Sequence, residues 1–218
     1  MNSSIIQLLV LAGIAIFLIL RLKNVLGTRE GFEKPPVPKT DEPVARKGFE
    51  VIEGGPDRDI TDHVEEDGQQ AQDLAAMKRI EPAFSVSEFV QGARGAYEMI
   101  VMGFERGNLD DIQPFLAQDV FDTFVDVVAD REDKGLTIEA EFIGVRETGI
   151  QDVKFDKDTN KAEITMRFVA ELTSVVRDKG GDVIEGSPTA VKRQKDTWTF
   201  ARTMGSNDPN WLLVATDG

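Results

Sequence analysis

The first hydrophobic feature of the chain is an apolar run close to the N-terminus. Residues 5–20 read IIQLLVLAGIAIFLIL, in which Gln7 is the single polar residue. With its neighbours this run approaches the roughly 20 residues that a helix needs to cross the hydrocarbon core of a bilayer. Inside lipid the backbone must satisfy its own hydrogen bonds, which favours a helix. The pattern therefore predicts a transmembrane anchor over residues 3–22.

The charges that flank this run predict its orientation. No Lys or Arg precedes the run, whereas Arg21, Lys23 and Arg29 follow it. A cleaved signal peptide would carry a positive N-terminal region, and a buried core helix would not be followed at once by a polar segment. Positive flanks stay on the cytoplasmic side. We expect a single-pass protein of a bacterial inner membrane, with the N-terminus outside and the domain in the cytoplasm. The alternative is an organellar inner membrane, with the domain facing the matrix.

The next segment, residues 23–83, is polar, acidic and interrupted by Pro and Gly. Residues 34–39 are rich in Pro, and residues 57–67 are mostly charged. Such a composition buries too little apolar surface to offset the entropy of ordering. We predict a mostly disordered tether with a short helix over residues 69–80. The tether could be a spacer or a segment that folds on a partner, and the sequence favours neither.

A strong helix signal follows the tether. Ser85 and Glu88 fit a capping box, and Phe84 and Phe89 are spaced for a hydrophobic staple. Gly107 is well placed to end this helix. Its apolar residues recur every three or four positions, which predicts one buried face: Phe89, Ala93, Ala96, Tyr97, Ile100, Val101 and Phe104.

Two more helical stretches and then several strands are predicted. The first stretch, residues 109–116, is broken near Pro114, and the second runs from Asp119 to near Gly135. Alternating apolar and polar residues then indicate strands over 136–145, 151–155, 161–177, 189–203 and 211–216. Helices followed by four or five antiparallel strands predict an α+β domain over residues 84–217, with the helices packed on one face of a curved sheet.

Composition narrows the chemistry that the chain can perform. The formal net charge of −14 disfavours nucleic acid as a partner. The absence of cysteine excludes disulfides and thiolate sites. The only histidine, His63, lies in the tether, where we expect a solvated side chain, so neither a catalytic triad nor a histidine metal site is expected. We expect no catalytic, cofactor-binding or metal-binding residues.

Aromatic residues supply the one candidate site. A curved sheet that clasps helices can leave a concave pocket between them. The candidate lining residues are Tyr97, Phe104, Phe142, Phe168, Trp198 and Trp211. Plain core packing is the simpler interpretation of these aromatics, whereas a pocket would hold a lipid chain or a partner's apolar helix. Tyr97 paired with a carboxylate is the only acid–base arrangement that the domain could offer, and a core tyrosine with a satisfied hydroxyl is the simpler interpretation.

Several segments carry a resemblance to a known family. Residues 89–97 resemble the opening helix of the Tim44-like domain, and residues 164–171 resemble its central strand. Residues 196–202 and 208–213 resemble its ending. The likeness spans about residues 84–217 and keeps the order of the elements. The N-terminal anchor is similar to that of the bacterial members of the family.

The resemblance implies both a fold and a role. The implied fold is the cone of nuclear transport factor two. The implied role is a non-enzymatic adaptor at an energy-transducing membrane, whose partners belong to the machinery of protein translocation or membrane-protein biogenesis and include a chaperone. A module that binds a lipid or a small molecule is the alternative.

Overall fold

The computed structural model describes residues 56–217. These residues form five α-helices, one 3₁₀ turn and four strands. Their bounds in chain order are α1 Arg58–Thr61, α2 Gln69–Ile80, α3 Val86–Arg106, α4 Leu109–Ile112, the 3₁₀ turn Gln113–Phe115, α5 Gln118–Asp133, β1 Thr137–Asp156, β2 Lys161–Arg177, β3 Val183–Thr203 and β4 Leu212–Asp217.

The predicted anchor cannot be compared with the structure. Residues 3–22 lie outside the described part of the chain, as do residues 23–55 of the predicted tether. Between residues 56 and 217, no helix is both long enough and apolar enough to cross a bilayer. The transmembrane span and its orientation therefore stay predictions.

Helix α3 begins and ends at the predicted signals. The Ser85 side chain accepts a hydrogen bond from the Glu88 backbone N–H at 3.3 Å. The rings of Phe84 and Phe89 lie 6.5 Å apart, as expected for a staple. At the other end Gly107 adopts φ 72°, a left-handed conformation that glycine reaches without a steric penalty.

The described chain before residue 84 packs on the domain. Helix α2 forms where the sequence predicts it, and its Leu74 and Met77 are fully buried in the core. Asp59, which follows the first residue of α1, accepts backbone hydrogen bonds from Val86 at 2.8 Å and Ser87 at 2.9 Å. A carboxylate placed there neutralises the positive end of the α3 dipole. The packed unit thus begins well before the predicted start of the domain.

The single histidine also belongs to this packed region. His63 Nε2 lies 2.9 Å from the Ser87 hydroxyl, in the first turn of α3. The sequence predicted a solvated linker side chain. Its half-buried contact with α3 follows from the folding of the preceding segment onto the helix.

All four strands form one antiparallel sheet in the order β1-β2-β3-β4. Strand β1 is continuous over 20 residues, where the sequence predicted two strands. Three shifts of register interrupt its pairing with β2, and bulges of this kind bend a sheet without ending the strand. The α+β class with helices on an antiparallel sheet is confirmed, while the cone shape stays a prediction.

One face of the sheet forms the core with the helices. Strand β2 alternates as predicted, with buried side chains on the helix side: Ala162, Ile164, Met166, Phe168, Ala170 and Leu172. The helices cover this face, and the Leu213 carbonyl of β4 accepts a hydrogen bond from the Ala117 backbone at 2.9 Å. The core therefore lies between the helices and a single sheet face.

Strand β3 is longer than predicted and is only partly covered. It begins at Val183, directly after the predicted turn over residues 178–182, in which Asp178 N–H donates to the Asp182 carbonyl. Strand β4 pairs with β3 only between Thr197 and Ala201. Among the described residues, the first half of β3 thus has a strand neighbour on one side only.

Candidate binding surfaces along helix α3

Helix α3 separates two concave surfaces. We call the first the α3 groove; it lies beside the N-terminal half of the helix. We call the second the lysine-rimmed cavity; it lies beside the C-terminal half. The buried ring of Tyr97 occupies the stretch of helix between them.

Tyr97 is the centre of a buried aromatic cluster. Its ring stacks on Phe168, with 4.4 Å between centroids and 18° between planes. The Trp198 ring lies 4.6 Å away, and Phe142 packs at the edge at 6.3 Å. Since Tyr97 and Phe168 are fully buried, these rings fill the core and leave no room for a ligand between them.

The Tyr97 hydroxyl donates a hydrogen bond to the Asp196 carboxylate inside the core. The Gln194 side-chain amide also donates to Asp196, at 3.1 Å to Oδ1 and 2.9 Å to Oδ2. Burial, followed by the hydrogen bond to Asp196, raises the pKa of Tyr97 well above its ordinary value. The structure thus brings Tyr97 to a carboxylate, as the acid–base hypothesis required. Tyr97 is fully buried, whereas Asp196 borders the lysine-rimmed cavity.

The α3 groove has an aromatic floor. The Trp211 ring packs 4.6 Å from Phe89 and 5.9 Å from Phe84, and Phe200 meets Phe89 edge-on at 6.1 Å. One wall is the face of α3 that carries Gly92. Small residues on that wall leave the floor open, and the concavity has a volume of about 380 Å³.

An ion pair closes one end of the α3 groove. The Arg202 guanidinium donates to both oxygens of Glu81, at 2.8 and 2.7 Å. The Gly205 backbone N–H donates to Glu81 as well, at 3.1 Å. Burial opposes ionisation of Glu81, but the hydrogen bonds from Arg202 and Gly205 outweigh it and hold the pKa of this carboxyl below its usual range. Because Arg202 is fully engaged, this end of the groove is neutral and rigid.

The lysine-rimmed cavity is larger and has two chemical zones. Its volume is about 570 Å³. The rings of Phe104 and Phe124 pack with 4.5 Å between centroids and 46° between planes, and they form an apolar wall together with Trp198. Lys192 and Lys195 lie at the mouth, both exposed. Three acidic residues, Glu105, Asp196 and Asp217, line the cavity as well, so its polar zone carries charges of both signs beside the apolar wall.

The six predicted pocket residues do not share one pocket. Tyr97 and Phe168 are core residues, and Phe142 packs at the edge of their cluster. Phe104 and Trp198 line the lysine-rimmed cavity, and Trp211 lies in the α3 groove. The spacing of these residues along each helix and strand was clear from the sequence. The packing of the helices against the sheet could not be predicted from that spacing. Whether any of them holds a ligand stays a prediction.

Several site residues escaped the sequence analysis. Asp196 is buried on the core side of β3, two residues before Trp198. The sequence did hold one signal for Asp196: its position in the strand alternation is on the same face as Trp198. A carboxylate on a core face needs a buried hydrogen-bond partner. No local pattern indicated the Glu81–Arg202 pair, whose members lie far apart in the sequence.

The fold and the two concavities define an α+β domain that presents apolar surfaces along one helix. The comparison with protein families identifies the family to which this domain belongs. The family model of the Tim44-like domain matches residues 70–218, and the chain belongs to this family. The match begins within α2, which agrees with the packing of that helix on the domain.

Other comparisons add a distant structural neighbour. No curated protein sequence matches the chain. Among solved structures, the crystal structure of the intermembrane space region of the chloroplast protein ARC6 is similar, with a TM-score of 0.40 and 12% sequence identity. The overlap covers 59% of this chain and 94% of that chain.

Proposed function

We propose that this protein is a non-enzymatic, membrane-tethered adaptor that recruits protein partners at an inner membrane. Membership of the Tim44-like family carries the proposal. The predicted anchor over residues 3–22 supports the tethering, and the charges after it support a domain on the cytoplasmic or matrix side. The partners would belong to the machinery of protein translocation or membrane-protein biogenesis, a chaperone among them.

The burial of the one Tyr–carboxylate pair supports the non-enzymatic part of the proposal. Tyr97 is fully buried and Asp196 is 7% exposed. General acid–base catalysis needs a group that reaches the substrate's proton at hydrogen-bond distance. Here the two groups satisfy each other, and Gln194 also donates to the carboxylate, which borders the lysine-rimmed cavity. The pair is well suited to holding α3 against β3.

We place the partner site at the α3 groove. An adaptor needs an exposed apolar surface to hold a partner, and aromatic anchors in a pocket dominate such interfaces. The groove offers the rings of Phe84, Phe89 and Trp211 on a rigid floor. Its volume of about 380 Å³ suits a few apolar side chains of a partner segment.

Filling the groove from α3 should weaken partner binding without harming the fold. Gly92 lines the groove, and a Cβ at this position would meet nothing within 4 Å. We expect Gly92→Leu to lower the yield of crosslinked partner from native membranes by about tenfold or more. Leu also favours the helix over Gly by roughly 1 kcal/mol, so the domain should stay folded.

Gly95 provides the matched control. It is also exposed on α3 with open space around a Cβ, yet it does not line the groove. Gly95→Leu should therefore keep the wild-type pattern of crosslinks. Equal crosslinking by the two variants would place the partner site elsewhere, and an absence of any partner for the wild-type chain would remove the adaptor proposal.

A second candidate function is the binding of a lipid or small amphiphile. The lysine-rimmed cavity favours it, through the aromatic wall of Phe104 and Phe124 and the exposed Lys192 and Lys195 at the mouth. An acyl chain would occupy the wall side, and an anionic head would lie near the ammonium groups. This function would be compatible with the adaptor role, because the cavity and the groove lie beside different halves of α3.

A bulky side chain at the cavity should displace such a ligand. Thr216 lines the cavity and is exposed, so Thr216→Trp would fill the space without disturbing the core. Native mass spectrometry of the full-length chain should show a bound ligand in the wild type and its loss in this variant. Ala215→Trp, on the neighbouring exposed position outside the cavity, should keep the ligand. A wild-type protein without any adduct would rule out this second function.

A further inference from the structure

The outer edge of β1 is open along the first residues of the strand. Strand β1 is the first strand of the sheet, so within residues 56–217 it has a strand neighbour on one side only. Its pairing with β2 is one-to-one from Thr137 to Phe142, and the first shift of register follows Phe142. We call residues 137–142 the open edge. A regular stretch of this kind presents unpaired backbone N–H and C=O groups in a straight row.

Further along β1, side chains from the helices occupy the same edge. The Arg94 guanidinium donates a hydrogen bond to the Val145 carbonyl at 3.1 Å, and the Gln70 amide donates to the Gln151 carbonyl at 2.9 Å. No side chain between residues 56 and 217 donates to a carbonyl of the open edge. The open edge also contains neither Pro nor Lys, which proteins commonly use to block a free edge. Its backbone is therefore available to another chain.

A cavity of about 400 Å³ lies beside the open edge, and we call it the edge cavity. Glu141 and Phe142 of β1 line it together with the C-terminal half of α3, where Met99 and Met102 supply apolar surface. The side chains of the open edge alternate in burial. On the helix side they are half-buried, at Ile138, Ala140 and Phe142, and on the outer side they are exposed, at Thr137, Glu139 and Glu141.

The charges at the edge cavity are mostly negative. Three carboxylates and one guanidinium line it, which leaves a formal net charge of −2: Glu98, Asp111, Glu141 and Arg106. None of the four forms an ion pair within the described residues. Adjacent charges do not reverse this sign. Glu139 is paired with Arg177 at 3.2 Å, and the single charge of Arg94 is outnumbered by Glu105 and Asp110.

We propose that the open edge binds an extended, basic segment of a partner protein by strand addition. The row of free backbone groups requires an extended chain, whose side chains alternate between the two faces of the sheet. Those on the helix side would enter the edge cavity beside Phe142 and should be apolar. Those on the outer side would lie next to Glu139 and Glu141 and should be Lys or Arg.

A second copy of this chain does not match the open edge, because its own open edge brings the same carboxylates and like charges repel across a strand pair. The site lies on β1, whereas the α3 groove lies near β3 and β4. The proposal therefore goes beyond the adaptor function and does not rest on a partner in that groove.

A synthetic peptide tests strand addition on the full-length chain. The probe is fluorescent, acetylated Lys-Val-Lys-Val-Lys-Val-Lys, which alternates basic and apolar residues. The chain is reconstituted in nanodiscs of phosphatidylcholine, whose zero net charge keeps the peptide off the lipid. Fluorescence anisotropy should give a Kd below about 100 μM. This measurement needs no natural partner, so its result is separate from the crosslinks that test the α3 groove.

Two N-methylated peptides separate backbone pairing from the attraction of side chains. One carries methyl groups on the backbone nitrogens of its lysines, and the other carries them on those of its valines. Alternate N–H groups point to opposite edges of a strand, and only one edge of the peptide can pair with β1. One version should therefore bind at least about tenfold more weakly, while the other should lose no more than about threefold.

A charge reversal locates the peptide on β1. Glu141→Lys should weaken binding of the unmethylated peptide by about fivefold, because it replaces an attractive neighbour of the peptide lysines by a repulsive one. Glu66→Lys is the matched control, since it changes the net charge equally. Glu66 is exposed and lines a surface concavity with Asp152, near the other end of β1. This control should keep the wild-type affinity, and unchanged thermal melting would show that both variants are folded.

Four results would overturn the proposal. An absence of peptide binding up to about 1 mM would exclude the site. Equal affinities of the two methylated peptides would show that the backbone does not pair. An equal loss of affinity in Glu141→Lys and Glu66→Lys would indicate general attraction to an acidic protein. Dimers of the full-length chain that the peptide disperses would mean that a second copy occupies the open edge.

Discussion

Raising the pH from about 10 to about 12 is expected to lower the free energy of unfolding by about 2.3 kcal/mol through Tyr97 alone. Burial and the hydrogen bond to Asp196 raise the pKa of Tyr97 above its ordinary value of 10.0. In that pH range the unfolded chain releases the phenolic proton and the folded chain keeps it. The stabilisation is fully present below pH 10 and declines as the pH rises toward the folded-state pKa.

The chain is well suited to this measurement. Tyr97 is its only tyrosine, so the phenolate absorbance reports one group. We expect the folded full-length chain to show no phenolate band until it unfolds, and urea titrations at several pH values should give the loss of stability. An ordinary titration midpoint near pH 10 with the fold intact would contradict the buried hydrogen bond.

The Tyr97→Phe variant separates this effect from the titration of lysines. In this variant the free energy of unfolding should no longer show the decrease at alkaline pH that comes from Tyr97. It should also be less stable at neutral pH by about 1–3 kcal/mol, because Asp196 loses a buried donor. If the variant is folded and supports cell growth like the wild type, the hydroxyl has no catalytic role. Loss of growth in a folded variant would instead favour an enzyme.

Removing the Asp59 carboxylate is the second change with a large expected effect. Asp59→Ala should lower the free energy of unfolding at neutral pH by about 2–3 kcal/mol. The side chain accepts hydrogen bonds from the backbone of Val86 and Ser87 and pairs with Lys78 at 2.7 Å. Without it, α1 loses its link to α3, and the first N–H groups of α3 lose their acceptor.

The contribution of Asp59 should also depend on pH. Burial opposes its ionisation, but the bonds from Lys78, Ser87 and Val86 outweigh burial and hold the pKa of Asp59 well below its usual range. Its stabilisation is therefore complete above the ordinary value of 3.8 and is lost as the pH falls below it. Urea unfolding followed by tryptophan fluorescence should show wild type and variant converging in acid.

Asp62→Ala is the matched control for Asp59. Asp62 is an exposed acidic residue at the other end of α1, and its side chain makes no hydrogen bond or ion pair within the described chain. This substitution should change the free energy of unfolding by no more than about 0.5 kcal/mol. Equal destabilisation by both variants would mean that net charge, and not the cap on α3, is responsible.

Local signals in the sequence predicted the helices well. The capping residue Ser85 and the left-handed Gly107 act within one turn of their own helix, so their neighbours in sequence are their neighbours in space. The alternation in β2 was equally readable, because burial on one face follows directly from the two-residue period of a strand.

Features that depend on residues far apart in the sequence could not be predicted from the sequence. The sequence predicted two strands, over 136–145 and 151–155, yet pairing with β2 carries β1 continuously through its bulges. Likewise, the acidic residues 57–67 have the composition of a tether. Their order depends on α3, whose backbone N–H groups give Asp59 a partner that composition cannot reveal.

The uncovered side of β3 has a consequence for contacts between copies of the chain. Open strand edges invite pairing between molecules, which leads to aggregation. Here Pro188 removes a backbone donor from that edge, and Gly186 is held at φ 76° against the Ser174 carbonyl. The edge is therefore irregular as well as lysine-bearing. We expect crowded copies to remain separate molecules, since the uncovered side of β3 offers a neighbouring copy no straight template for strand addition.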